Sequence, residues 1–296
     1  MSSPDLLDAT LARARRVETT AGGCRVVWRG WGEGDPIVLT HGGHGSWSHW
    51  VRNVASLSAR RTVWAPDMPG YGDSDSLAEP GDAAAIARVL SAGADELFTR
   101  DAPLDLMGFS FGGVVAGFLA ALRPAQVRRL VLVGSAGLGI TRFEGRTMRP
   151  WRHLTDAAEL NAALAQNLQV LMLHDPASVD ALALRLHREN SERTRFRSKD
   201  ISRSRSLVDV LAASPARLYG IWGAQDVTAL PDVRGRGEQL RLAHADARFE
   251  VIEGAGHWVQ YERAEAFDAL AAGFLDDDAG AGAGERPGGG PAARWP

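Results

Sequence analysis

The stretch Leu104-Asp105-Leu106-Met107-Gly108-Phe109-Ser110-Phe111-Gly112-Gly113-Val114-Val115 decides how the rest of the chain is read. An apolar run enters Gly108, a serine stands between two glycines, and a run rich in Ala, Val and Leu at helical spacing follows. That is a strand, a sharp turn and a helix. Such a turn holds Ser110 in a strained backbone conformation, tolerable because its neighbours are small, and aims the hydroxyl away from the sheet. The helix that begins beneath it offers backbone N–H groups and the positive end of its dipole to a developing negative charge. In a chain with 33 glycines the Gly-x-Ser-x-Gly spacing means little alone; the strand before it and the helix after it give it weight.

Working outward, Pro36–Thr40, Thr62–Ala65, Arg129–Val133, Arg217–Trp222 and Arg248–Ile252 read as further buried strands, with helical patterns such as Asp82–Phe98 between them. Strands apolar on both faces that alternate with helices predict a parallel sheet covered on both sides. Upstream, Arg16–Glu18 and Arg25–Arg29 flank a Gly22-Gly23 turn and read as an antiparallel edge. The fold class is therefore α/β, with a mostly parallel eight-stranded sheet. The alternation breaks once. From about Ile140 to Ser206 the pattern is helical, over Asp156–Leu173 and Ser178–Asn190, with Val208–Ala213 as a closing short helix. The predicted division is a core of residues 16–139 and 207–276, a helical cap or lid of 140–206 at the carboxyl edge of the sheet, and a helical N-terminal segment 1–15. The Gly-, Ala- and Pro-rich tail 279–296 is predicted to be disordered.

Hydrophobic content of 45% and charged content of 23% suit a globular chain, and the net charge of −3 argues against a nucleic-acid or membrane surface. Cys24 is the one cysteine, which excludes an intrachain disulfide and a cysteine-based metal site. The N-terminus lacks the continuous apolar core of a signal peptide, so a cytoplasmic location is expected. The expected partner is a small-molecule substrate, with no nucleic acid and no membrane, and a homodimer is left open.

A serine nucleophile needs a general base, and the base needs an orienting acid. Of eight histidines, His257 follows the last strand in Glu253-Gly254-Ala255-Gly256-His257, where a loop leaves the carboxyl edge. Asp226 follows the preceding strand in Gly223-Ala224-Gln225-Asp226. The other position open to an acid, Gly134-Ser135-Ala136, holds no carboxylate. Ser110, Asp226 and His257 thus fall in the chain order this scaffold uses. The oxyanion donors are expected to be the backbone N–H of Phe111 and, from the loop after Pro36–Thr40, that of Gly43. His41 reads as a structural residue of that loop and Asp67 as a turn-former.

The run from His41-Gly42-Gly43 through Asp67-Met68-Pro69-Gly70-Tyr71-Gly72 and Gly108-Phe109-Ser110-Phe111-Gly112-Gly113 to Gly256-His257 resembles the α/β-hydrolase fold enzymes over residues 16 to 276. The resemblance implies no metal and no organic cofactor. Within that fold, His257-Trp258-Val259-Gln260 is similar to the His-Trp-x-Gln stretch of hydrolases that cleave the carbon–carbon bond of meta-cleavage dienoates. The chain departs from them in specific places: the loop His41–Ser46 is shorter, Phe109 and Phe111 replace asparagine and methionine, and His49 stands for a further asparagine. Their lid arginine falls near Arg185-Leu186-His187-Arg188. The resemblance and the aromatic pattern together make His49, Phe109, Trp151, Arg185, Arg188 and Trp258 candidate substrate-binding residues.

The run Arg185 to Arg205 carries eight Arg or Lys against three Asp or Glu. It reads first as a solvated face, and secondly as a source of one or two arginines for an anionic substrate group. The expected activity is a cofactor-independent serine hydrolase acting on a medium-sized, largely apolar ester. Carbon–carbon bond hydrolysis, acyl transfer or perhydrolysis, and a non-enzymatic small-molecule receptor are the alternatives.

Overall fold

A computed structural model describes residues 3–139 and 147–277. The predicted tail and the first residues of the cap, 140–146, lie outside the described residues. Eight strands form one sheet: β1 (Arg15–Ala21), β2 (Cys24–Trp31), β3 (Pro36–Thr40), β4 (Thr62–Pro66), β5 (Leu104–Phe109), β6 (Val127–Val133), β7 (Arg217–Gly223) and β8 (Arg248–Ile252). Their spatial order is β1-β2-β4-β3-β5-β6-β7-β8. The pairs β1–β2 and β2–β4 are antiparallel, and every pairing from β4 across to β8 is parallel.

The parallel strands end in register. Thr40 lies opposite Gly108, Phe109 opposite Val133, Val133 opposite Ile221, and Gly223 opposite Ile252. The loops that follow them, which carry His41 to Ser46, Ser110, Gly134, Asp226 and His257, therefore emerge along one edge. Alternate residues of each central strand feed two cores, as a period of two requires. Val38, Leu106 and Leu130 face the core shared with helices Ala83–Leu97 and Phe111–Leu122. Ile37, Leu39, Met107, Phe109 and Val131 face the opposite core, against helix Ala264–Leu275 and the cap residues Leu168 and Leu186.

The stretch Trp47–Leu57, which reads as one helix in sequence, is divided into a 3-10 turn at Trp47–Trp50 and a short helix at Val54–Leu57. All four residues of the 3-10 turn are buried, and Ser46 caps it by accepting from the Ser48 N–H. Asn53 at the break turns its amide to the Gln260 carbonyl and the Asp268 carboxylate. Contacts with distant parts of the chain replace a continuous helical ladder here.

In the cap the helices run Ala157–Leu171 and Ala181–Glu192, capped by the carboxylates of Asp156 and Asp180. A 3-10 turn at Pro176–Ser178 and a short helix at Lys199–Ser202 complete it. Helix Ser206–Leu211 returns to the core, where Leu207 fits against Gly117. Among the described residues no helix is long and apolar enough to cross a membrane.

Candidate active site

Ser110 sits at the junction of β5 and helix Phe111–Leu122 with φ 53° and ψ −115°. This is a costly conformation for a residue with a side chain, and the surroundings enforce it. The Ser110 N–H donates to the Val133 carbonyl at 2.9 Å, and its own carbonyl accepts from Gly113 at 3.0 Å and Ala136 at 3.1 Å. The two glycines of the motif are needed for contact rather than flexibility. A Cβ on Gly108 would come within 2.6 Å of the Gly112 carbonyl, and one on Gly112 within 2.4 Å of the carbonyls of Thr40 and His41.

The loops after β7 and β8 bring their polar residues to this serine. His257 Nε2 lies 2.9 Å from Ser110 Oγ, and His257 Nδ1 lies 2.9 Å from Asp226 Oδ2. Asp226 is fully buried and its second oxygen accepts the Thr228 N–H at 2.8 Å. Burial alone would push this carboxyl up. The charge of His257 and hydrogen bonds from His257 and Thr228 outweigh it and hold Asp226 below the usual carboxylate range. With the carboxylate ionised, Nδ1 keeps the proton and Nε2 is left to accept one from the serine. The Phe109 ring packs against the imidazole, with the two centroids 5.0 Å apart.

Across from the serine, the Phe111 N–H belongs to the first turn of its helix, where backbone donors lack intrahelical partners. Gly43 faces it: a Cβ built there would lie 4.0 Å from Phe111 Cβ and 2.5 Å from Ser198 Oγ. Any side chain at position 43 would collide with the cap. His41 is spent on the loop itself, with Nδ1 2.8 Å from the Gly42 carbonyl and Nε2 accepting the Met68 N–H. Asp67 accepts from the Trp47 and Asp73 N–H groups and pairs with Arg29, so it fastens three segments beneath the site.

Of the candidate substrate residues, His49 and Trp258 reach the site together. Trp258 Nε1 donates to the His49 carbonyl, and the His49 ring packs between Trp258 at 5.0 Å and Phe109 at 5.3 Å. Burial and the neighbouring histidines keep His49 well below the ordinary histidine range, so it is neutral. Its Nδ1 accepts the Gly42 N–H at 3.2 Å, which places the proton on Nε2. Trp151 is occupied by Arg152, whose guanidinium lies 4.8 Å from the ring centroid.

Arg185 and Arg188 follow the first reading of the basic run, a solvated face, and do not take the inward place that a substrate-binding role requires. Arg185 pairs with Asp8 and Glu189, Arg188 with Glu192, and both line an open groove of about 560 Å³ on the outside of the cap. The helical spacing of Ala181–Glu192 explains this. Leu182, Ala183 and Leu186 occupy the inward stripe, which leaves 185 and 188 to solvent. A smaller cavity of about 210 Å³ reaches His257, between Leu171, Met172, Leu173, Val227 and Leu230.

Glu262 carries little signal in the sequence, and the structure makes it a part of the site. It is buried, and its carboxylate accepts the N–H of Gly256, immediately before His257, together with those of His174 and Asp175 in the cap. A carboxylate shortly after His257 was a visible signal, but its partners are remote in sequence. Among the described residues no three His, Cys, Asp or Glu side chains converge as a metal site would require.

A model of the alpha/beta hydrolase family matches residues 37–270. The chain belongs to the alpha/beta hydrolase family. Within this family it is 32% identical over 282 residues to the 2-hydroxymuconate semialdehyde hydrolase of Pseudomonas sp. (strain CF600), covering 87% of this chain and 93% of that one. It is also 32% identical over 252 residues to the dihydrolipoyllysine-residue acetyltransferase component of the acetoin cleaving system of Pseudomonas putida. That match takes in 82% of this chain but spans 64% of the relative's length. Among solved structures, an esterase from Rhodococcus sp. ECU1013 superposes with a TM-score of 0.72 at 21% identity, over 90% of this chain and 99% of that one. The chain is thus similar both to a protein named as a 2-hydroxymuconate semialdehyde hydrolase and to one named as an esterase.

Proposed function

We propose that this alpha/beta hydrolase is a cofactor-independent serine hydrolase of carboxylic esters with a largely apolar acyl or alcohol group. The observation that carries this reading is the relay Ser110 Oγ–His257 Nε2 and His257 Nδ1–Asp226 Oδ2, each link 2.9 Å, built on a strained nucleophile turn. In the proposed reaction His257 takes the proton of Ser110 as the serine oxygen attacks the ester carbonyl. The carbonyl oxygen gathers negative charge and is held by the N–H groups of Gly43 and Phe111. Each such donor is worth about a hundred- to a thousandfold in rate. His257 then returns the proton to the departing alcohol, and a water activated by the same imidazole releases the acid and restores Ser110. Asp226 fixes the tautomer and stabilises the imidazolium.

The outward pairing of Arg185 and Arg188 supports an ester over a dienoate, whose carboxylate needs a cationic partner.

Carbon–carbon bond hydrolysis is the second reading, favoured by the 32% identity to 2-hydroxymuconate semialdehyde hydrolase. The deciding experiment compares kcat/KM on p-nitrophenyl acyl esters with kcat/KM on a meta-cleavage dienoate. Higher values on the esters are expected. A dienoate value a hundredfold or more above the best ester would reverse the order.

A further inference from the structure

The cap places a hydroxyl beside Gly43, one of the two proposed oxyanion donors. Ser198 opens the short helix Lys199–Ser202 yet makes no side-chain cap to it, although serine is among the best capping residues. Its hydroxyl is directed at the core instead, 2.5 Å from the point where a Cβ on Gly43 would stand, with Phe111 Cβ 4.0 Å from that same point. The residue is buried.

Its position is fixed from both sides. The N–H groups of Arg195 and Phe196 donate to the Gly70 carbonyl at 2.9 and 3.3 Å, and the Phe196 ring stacks on that of Phe111 at 5.6 Å. Tyr71 stands beneath. Its ring packs on Phe111 at 6.3 Å and Phe196 at 6.0 Å, and Ser198 is the neighbour of its hydroxyl. That hydroxyl is buried, with the Ser198 hydroxyl as its polar neighbour, and the two do not yet meet in full hydrogen-bond geometry. An unmade hydrogen bond of this kind is costly in a resting protein.

We propose that Ser198 donates a third hydrogen bond to the oxyanion, beside the N–H groups of Gly43 and Phe111, and that Tyr71 is its positioning residue. This rests on the serine-hydrolase reading given above. As charge grows on the substrate oxygen, the Ser198 hydroxyl turns its proton toward it, and the freed Ser198 oxygen accepts from the Tyr71 hydroxyl. Both hydroxyls are neutral before and after, so no proton changes owner. Burial raises Tyr71 beyond the ordinary phenol range, which keeps it a donor throughout. Two donors come from the core and the third from the cap, so the oxyanion site is complete when the cap is seated.

The test uses the full chain with p-nitrophenyl butyrate as substrate and a reversible trifluoromethyl ketone as mimic of the tetrahedral adduct. Ser198→Ala is expected to lower kcat ten- to a hundredfold with KM within twofold, to weaken the ketone by the same factor, and to leave butyrate binding unchanged. Ser198→Thr should recover most of the rate, and Tyr71→Phe should lower kcat three- to tenfold. If the alanine variant does not fold, Ser198→Cys, close in size but a weak donor, is expected to shift kcat in the same direction. A kcat within twofold of the parent for Ser198→Ala or Ser198→Cys, or a loss confined to KM, overturns the proposal. Ser110→Ala assayed beside them separates the two claims. If it stays active, the serine mechanism itself fails, whereas an inactive Ser110→Ala with an unaffected Ser198 variant removes only the third donor.

Discussion

Glu262 accepts the Gly256 N–H at 2.6 Å, from the residue immediately before His257. The same carboxylate takes the N–H groups of His174 and Asp175, so one buried side chain ties the loop of the proposed base to the cap. Hydrogen bonds to a charged acceptor contribute about 1.5–3 kcal/mol each. Glu262→Gln is expected to lower stability by about 2 kcal/mol, since the amide turns an N–H group toward backbone donors. It should also lower kcat severalfold by loosening His257. Denaturant unfolding and steady-state kinetics check this, and an unchanged unfolding midpoint would contradict the clamp.

Asp105 is fully buried on β5, five residues before Ser110, and receives Arg61 at 2.7 Å, Arg128 at 2.9 Å and Arg129 at 3.3 Å. Removing one partner from a buried ionic cluster leaves charges uncompensated, at about 3–5 kcal/mol. Asp105→Asn should therefore lower Tm by about 10 °C, at the 2–4 °C per kcal/mol usual for chains near this length. Activity at low temperature should stay within a few-fold of the parent. A Tm within 2 °C would show that the arginines find water instead.

Acid should weaken the protein above the range in which ordinary carboxylates titrate. Burial lowers His41 to about 4 from its ordinary value of 6.5, so the unfolded chain binds this proton more readily than the folded one. Stability is then fully present above pH 6.5 and is lost as pH falls toward 4. For His41 the loss between pH 7 and pH 5 is about 2 kcal/mol. His187, lowered to about 4 by burial and the nearby His44, acts in the same direction. Asp268, raised by burial to about 6, works against them over the same window, and its partial exposure to solvent limits the offset. Urea unfolding at pH 7 and pH 5 should show the lower midpoint at pH 5. Equal midpoints would mean that these histidines do not stay neutral.

Arg185→Ala and Arg188→Ala should each leave kcat/KM within twofold of the parent, because both side chains are paired on the outer surface of the cap. Exposed pairs of this kind contribute less than about 1 kcal/mol, so stability should hardly move. A tenfold rise in KM for either variant would place that arginine against substrate.

The sheet was legible because its signal is local and repeated. Ile37, Val38 and Leu39 must bury both faces of β3, and the same holds for Leu106, Met107, Val131 and Leu132. The relay was legible for a related reason, since Ser110, Asp226 and His257 each follow a strand end and parallel strands end along one edge. The cap carries a weaker signal. Arg185 and Arg188 look equally able to face in or out until Leu182, Ala183 and Leu186 are seen to take the inner stripe. Glu262 and Ser198 escaped notice because their partners lie far away in sequence and leave no spacing to read. The helix expected over Trp47–Leu57 is broken for the same reason, since Asn53 at the break is held by the distant Gln260 carbonyl and Asp268 carboxylate.

The most direct test of the proposed chemistry is kcat of Ser110→Ala on p-nitrophenyl butyrate, with folding confirmed by an unchanged unfolding midpoint. Ser110 Oγ is the atom to which His257 Nε2 is aimed at 2.9 Å, and members of such a unit fail together. The expected result is a fall of about a million-fold in kcat, matched by His257→Ala and not deepened in the double variant. A folded Ser110→Ala protein that keeps activity within tenfold of the parent would contradict the account.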